Sequence, residues 1–138
     1  MVQRIQSIFL LLASGGFWSL FALPFATSKD KSGYYQDGVL TIQDHTVLLG
    51  LAVAGGLISF IAIFLFKNRN LQKSITWLAA ICGLALGGFG YYLFSNSGQS
   101  ANLGGGIGIP FISLILAIAA IIFIGKDEKL VKSMDRLR

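Results

Sequence analysis

Four apolar runs without a single Asp, Glu, Lys or Arg divide the chain, at residues 5–25, 46–66, 74–94 and 107–125. Each is about 20 residues long, and a helix of that length, rising about 1.5 Å per residue, crosses a bilayer core of about 30 Å. Apart from Arg4, every charged residue lies in the loops 26–45 and 67–73 or the tail 126–138, and the loop 95–106 is polar but uncharged. The pattern predicts an all-α membrane protein: one membrane domain over 1–138, folded as an antiparallel four-transmembrane-helix bundle. The connection 67–73 is too short to let the helices it joins be anything but antiparallel neighbours.

Local signals refine this frame. Gly15 and Gly16 fall mid-span, where small residues mark close approach of a neighbouring helix. Ala79, Gly83 and Gly87 recur every four residues on one face of the third span, a groove of small residues expected to pack against another helix. Asp37-Gly38 sits between aromatic and β-branched residues, including Tyr34, Tyr35 and Val39, and is a hairpin signal because a type I′ turn needs φ > 0 at both central positions. The first outer loop is therefore expected as either a small β-hairpin or an irregular loop with its tyrosines at headgroup level. Asp44 and Asn70 are candidate N-caps for the second and third spans. Pro110 suits a first helical turn, where its missing N–H would be unpaired anyway. Trp18, Trp77, Tyr91 and Tyr92 fall near the ends of their spans, as an interfacial aromatic belt would.

Composition agrees with the span count: 54% of residues are hydrophobic, only 12% are charged, and mean hydropathy is +0.72. Charged content is about half that of a soluble domain. The net charge of +5 would suggest nucleic acid if it were evenly spread, but it is not. With alternating spans, Arg4, Lys67, Arg69, Lys73, Lys126, Lys129, Lys132, Arg136 and Arg138 share one side, and only Lys29 and Lys31 lie on the other. Three acids on each side leave +6 and −1. Lys/Arg excess marks cytoplasmic loops, so both termini are expected in the cytoplasm, at an inner membrane. The basic balance is then a topology signal with attraction to membrane lipids, and nucleic-acid binding is not needed to explain it. The first run is too long for a signal-peptide h-region and lacks small residues at the cleavage positions, so it is expected as a retained span.

Candidate chemistry is sparse. The spans hold no ionisable acid or base of the kind that carries proton or ion coupling. His45 is the only histidine, placed for a capping role, and no second ligand is spaced with it for a metal site. Cys82 is the only cysteine and sits mid-span, where a thiol is a small packing residue. Glycines 104–106 lack the Lys and Ser/Thr spacing of a phosphate-binding loop. No catalytic, cofactor-binding or metal-binding residues are assigned, and no enzyme activity is expected.

The tail reads Lys126-Asp-Glu-Lys-Leu-Val-Lys-Ser-Met-Asp-Arg-Leu-Arg138. Leu130, Val131, Met134 and Leu137 form a helical stripe, while Lys126, Lys129, Lys132, Arg136 and Arg138 supply positive charge. This predicts a short amphipathic cytoplasmic helix that contacts lipid headgroups or a partner protein. Together with the opening Met1-Val-Gln-Arg-Ile-Gln-Ser7 and the loop Lys67-Asn-Arg-Asn-Leu-Gln72, this tail resembles an uncharacterised family of small four-span inner-membrane proteins from Bacteroidetes, a domain of unknown function. Met134 departs from the smaller residue associated with that position. The resemblance covers the whole chain and implies fold and inner-membrane location, without an activity.

Two functions follow as expectations. One is an accessory or structural subunit in a hetero-complex with other membrane proteins, motivated by the small-residue face and the basic tail. The alternative is binding or transport of a lipid or small neutral solute, if the glycines leave room between the helices.

Overall fold

The computed structural model describes residues 2–29, 37–96 and 101–135. Of these described residues 82% are helical, and they form four α-helices. These are α1 (Val2–Ser19), α2 (Thr46–Phe64), α3 (Arg69–Ser95) and α4 (Ile109–Asp135). Helices α2, α3 and α4 are long and apolar enough to cross a membrane, and the apolar part of α1, Ile5–Ser19, is shorter.

The helix ends have local causes. Helix α1 stops at Ser19 rather than continuing to residue 25 as its apolar run suggests. The Ser19 hydroxyl donates to the Gly16 carbonyl at 2.7 Å, Phe21 and Ala22 continue in turn hydrogen bonds, and Pro24 follows. Hydroxyl competition for a helical carbonyl and the steric bias before proline both oppose helix here. Helix α2 is capped by His45, whose Nδ1 accepts from the Val47 amide at 3.2 Å, rather than by Asp44. Asp44 closes a 3₁₀ turn instead, its carboxylate accepting from the amide and hydroxyl of Thr41 at 2.6 and 2.8 Å. Asn68, not Asn70, caps α3 by accepting from the Leu71 amide at 3.3 Å. In both corrections the cap is the last residue with non-helical backbone, which the sequence places only to within a residue or two.

Packing is antiparallel around a ring: α1 lies against α2 and α4, and α3 lies against α2 and α4. The register is visible in single contacts. Ser14 of α1 donates to the Gly56 carbonyl of α2, Gln6 of α1 to the Phe123 carbonyl of α4, and Gln72 of α3 to the Ala62 carbonyl of α2.

A three-stranded antiparallel sheet closes one end of the bundle. Its strands are β1 (Ala26–Ser28), β2 (Val39–Leu40) and β3 (Ala101–Leu103), in the order β2-β1-β3. Ala26 pairs with Leu40 on one side and Leu103 on the other. The sheet differs from the expected hairpin in partner and in turn. Residues 39–40 pair with 26–27, and the second loop supplies a third strand, paired with 26–28, that no alternation along the chain announces. Tyr34 and Tyr35 lie outside the described residues. Gly38 has φ +75°, but among the described residues no non-glycine residue takes positive φ, so Asp37 does not complete a type I′ turn. Phe25, Ala26 and Leu40 of the sheet region join Phe17, Leu20, Ile42, Leu48, Ala52, Leu86 and Leu93 in the main apolar core. A smaller cluster of Leu10, Ala62 and Ala120 lies further along the bundle.

Candidate functional site

The small-residue face of α3 meets α4. Ala79 is fully buried. A Cβ on Gly83 would stand 3.2 Å from the Pro110 carbonyl oxygen, and one on Gly87 would stand 2.9 Å from the Phe111 ring. Glycine at these positions lets a backbone or an aromatic ring occupy the side-chain volume, which is how helices gain dispersion contact in a membrane. Three phenylalanines use such hollows. The ring of Phe17 fills the space a Cβ would take on Gly55 and approaches Gly83; Phe25 does the same at Gly90, and Phe111 at Gly87. Phe17 and Phe25 are 1% and 0% exposed. The sequence shows the hollows as glycines but does not show which distant ring enters each.

Glycines 104 and 106 serve a different purpose. Their amides donate to the Phe25 and Pro24 carbonyls at 2.8 and 2.9 Å. A Cβ on Gly104 would run into the Pro24 carbonyl oxygen, and one on Gly106 would come within 2.7 Å of it. The glycine loop is thus a backbone latch between the two connections at the sheet end.

The opposite end carries the charge. The tail does not form a separate helix: α4 runs unbroken through Gly125 to Asp135. Lys126, Lys129, Leu130, Val131, Lys132 and Met134 are exposed on it, whereas Arg136, Leu137 and Arg138 lie outside the described residues. Arg69, which the sequence offers only as a topology charge, holds this extension. Its Nη2 is 2.9 Å from the Asp127 carboxylate oxygen Oδ2, an ion pair without an aligned hydrogen bond, and its Nη1 donates to the Asp127 carbonyl at 3.0 Å. The two side chains are 23% and 13% exposed. Opposite charges at the facing ends of antiparallel helices were the available signal for this pair.

One turn further, Lys132 reaches Glu128 at 2.6 Å. That hydrogen bond and charge, with Lys73 and Arg69 beyond, hold the Glu128 carboxyl below its ordinary value. Lys126 lies 5.4 Å from the Phe123 ring centroid, a cation–π distance. Between the α2–α3 turn and α4 is an open groove of about 630 Å³, lined by Phe66, Lys67, Asn70, Glu128, Val131 and Lys132, among others. Among the described residues no group of three His, Cys, Asp or Glu is placed to hold a metal. His45 caps α2 and packs its ring edge-on against Phe89 at 5.0 Å.

The family model described as a domain of unknown function (DUF4293) matches residues 2–137. The chain belongs to this family. The DUF4293 match spans the helices, the sheet and the charged end together, so none of these is an appendage to a smaller domain. No curated protein and no solved structure matches the chain.

Proposed function

We propose that this DUF4293 protein is a four-span inner-membrane protein with both termini in the cytoplasm, acting without catalysis as an accessory or structural subunit of a larger membrane complex. The observation that carries the membrane reading is the reversal of inside and outside. Leu11, Leu12, Phe64, Leu78, Ile81 and Ile115 are each half-exposed or more, while Gln6, Ser14, Ser59, Gln72, Thr76 and Ser113 are buried. Water would penalise that apolar exterior, and lipid does not. Trp18, Trp77, Tyr91 and Tyr92 are also exposed, as belt residues would be. Helix α1 is the shortest, at 18 residues. The irregular backbone that follows it is only partly covered by protein: Leu20 and Phe25 are fully buried, whereas Phe21, Ala22 and Leu23 are exposed.

The subunit reading is supported by the tail. A helix that continues through Gly125 carries Leu130, Val131 and Met134 along its own axis, away from the hydrocarbon, where a partner can meet them. The neutral-solute alternative has less support, because phenylalanine rings take up the hollows at Gly55, Gly87 and Gly90. Nucleic acid has no part in this reading.

A native pull-down in mild detergent tests it. A stable larger complex supports a subunit, and a lone monomer with co-purifying lipid overturns it in favour of the alternative. Orientation is tested by C-terminal fusions: alkaline phosphatase should be inactive and a fluorescent protein bright.

A further inference from the structure

The geometry points to an anionic-phospholipid headgroup site in the groove between the α2–α3 turn and the α4 extension. It rests on the membrane reading above but not on the existence of a protein partner. Three features define it.

The first is depth. The apolar runs end at Phe66 and Gly125, and the groove is lined by residues 66–70 and by 128, 131 and 132. Those α4 positions lie three to seven residues beyond Gly125, roughly 5–10 Å along the axis, which is about the depth of a headgroup layer.

The second is charge. Lys67, Arg69 and Lys132 outnumber the one acid in the lining, Glu128. Arg69 is committed to Asp127, so it braces the wall and is not the donor the ligand would meet. Lys67 is exposed and has no ion-pair partner among the described residues. Lys132 pairs with Glu128 through one of its three donors, is itself 72% exposed, and keeps the others for a second acceptor. Asn70 is an exposed amide beside them.

The third feature distinguishes a lipid from a soluble anion. Phe66 and Val131 line the same groove and are 48% and 41% exposed. An apolar edge beside cations suits a molecule with a phosphodiester at one end and acyl chains at the other. Free phosphate has no use for it. Other basic residues lie outside this groove, among them Lys126 and Lys129, which line a separate hollow with Leu130 and Ser133.

Native mass spectrometry of the full chain in detergent, titrated with phosphatidylglycerol and with phosphatidylcholine, tests the site. The wild type should retain phosphatidylglycerol preferentially. Lys67→Gln with Lys132→Gln should weaken it about thirty-fold, as expected for two headgroup-depth cations. Lys126→Gln with Lys129→Gln removes equal charge outside the groove and should leave most of the binding intact. Equal losses in the two pairs would overturn the site in favour of a diffuse field. Displacement of the lipid by low-millimolar inorganic phosphate would overturn the lipid and assign the groove to a soluble anion. Both pairs replace exposed side chains, and unchanged melting temperatures would confirm intact folding. Release of the protein from membranes by alkaline carbonate would instead sink the membrane reading itself, a failure distinct from loss of the groove.

Discussion

The two ends of the bundle are held by different forces. At the sheet end, closure comes from backbone hydrogen bonds and from rings set into glycine hollows: Gly106 on Pro24, Phe17 on Gly55, Phe25 on Gly90. At the tail end it comes from side-chain charge: Arg69 on Asp127 and Lys132 on Glu128. Shape-dependent contacts tolerate little change, because interiors are close-packed and a misplaced methylene has nowhere to go. Charged contacts at a wet surface are weaker and screened by salt. The difference separates a rigid, structure-bearing end from an end whose exposed groups are free to meet something else.

The largest effect that would test this contrast is at Phe17. Removing a buried aromatic ring typically costs about 3–5 kcal/mol, and Phe17 is almost completely buried against two helices. Phe17→Ala should strongly lower the melting temperature in detergent. Phe64→Ala, at a ring 62% exposed, should change stability by no more than about 0.5 kcal/mol. Equal effects would mean that the lipid-facing surface and the interior are not distinguished as described.

Glycine substitutions come next. Gly87→Leu and Gly83→Leu force a side chain into Phe111 or toward the Pro110 carbonyl, and Gly106→Ala into the latch. Each should cost about 1–3 kcal/mol from overpacking. Gly88→Leu and Gly105→Ala add atoms where nothing lies within 4 Å, and should be near neutral. A scan of thermal stability across these five variants separates shape from composition: similar losses at all five would reduce the glycines to a generic flexibility effect.

The same residues show what a single sequence displays and what it withholds. The long apolar helices were legible because a charge-free run of that length has few other uses. The α3 glycine face was legible as a hollow, since four-residue spacing fixes a common side. Its occupant was not: Phe111 lies 24 positions from Gly87, and no local pattern links them. The sheet was half legible. Gly38 advertised its positive φ, but strands of two and three residues carry too little alternation to name their partners. The end of α1 was missed because apolar residues 20–25 continue the hydropathy signal after the backbone has left the helix. The groove at the tail end was missed because its two walls are some 60 residues apart, and each reads alone as an ordinary basic stretch.

At the tail end the expected effects are smaller. Arg69→Gln leaves Asp127 partly buried without its cation, and should cost about 1–2 kcal/mol, between the ranges for exposed and fully buried pairs. Asp127→Asn in the same chain should recover part of that loss, since the unpaired charge is then gone. Additive losses in the double-mutant cycle would show that Arg69 acts through the Asp127 carbonyl alone, and that the ion pair contributes nothing to the docking of α4.

The smallest effect is electrostatic and concerns Glu128. Lys132 favours the ionised carboxylate, so the folded-state value lies below the ordinary one, with Lys73 and Arg69 adding in the same direction. A group depressed in this way contributes stability above its unfolded-state value, and loses the contribution as pH falls through the lower folded-state value. Glu128 is solvent-accessible enough that the melting temperature should barely register the loss. The sensitive readout is the carboxyl chemical shift of Glu128 in an NMR titration. Its midpoint should lie below the usual glutamate range in the wild type and rise in Lys132→Gln. Part of the depression should persist there, because Lys73 and Arg69 remain. Adding salt should raise the wild-type midpoint as well, since these charges face water. If neither salt nor Lys132→Gln moves it, the tail end is not governed by screened surface charge, and the two ends of the bundle are more alike than their chemistry implies.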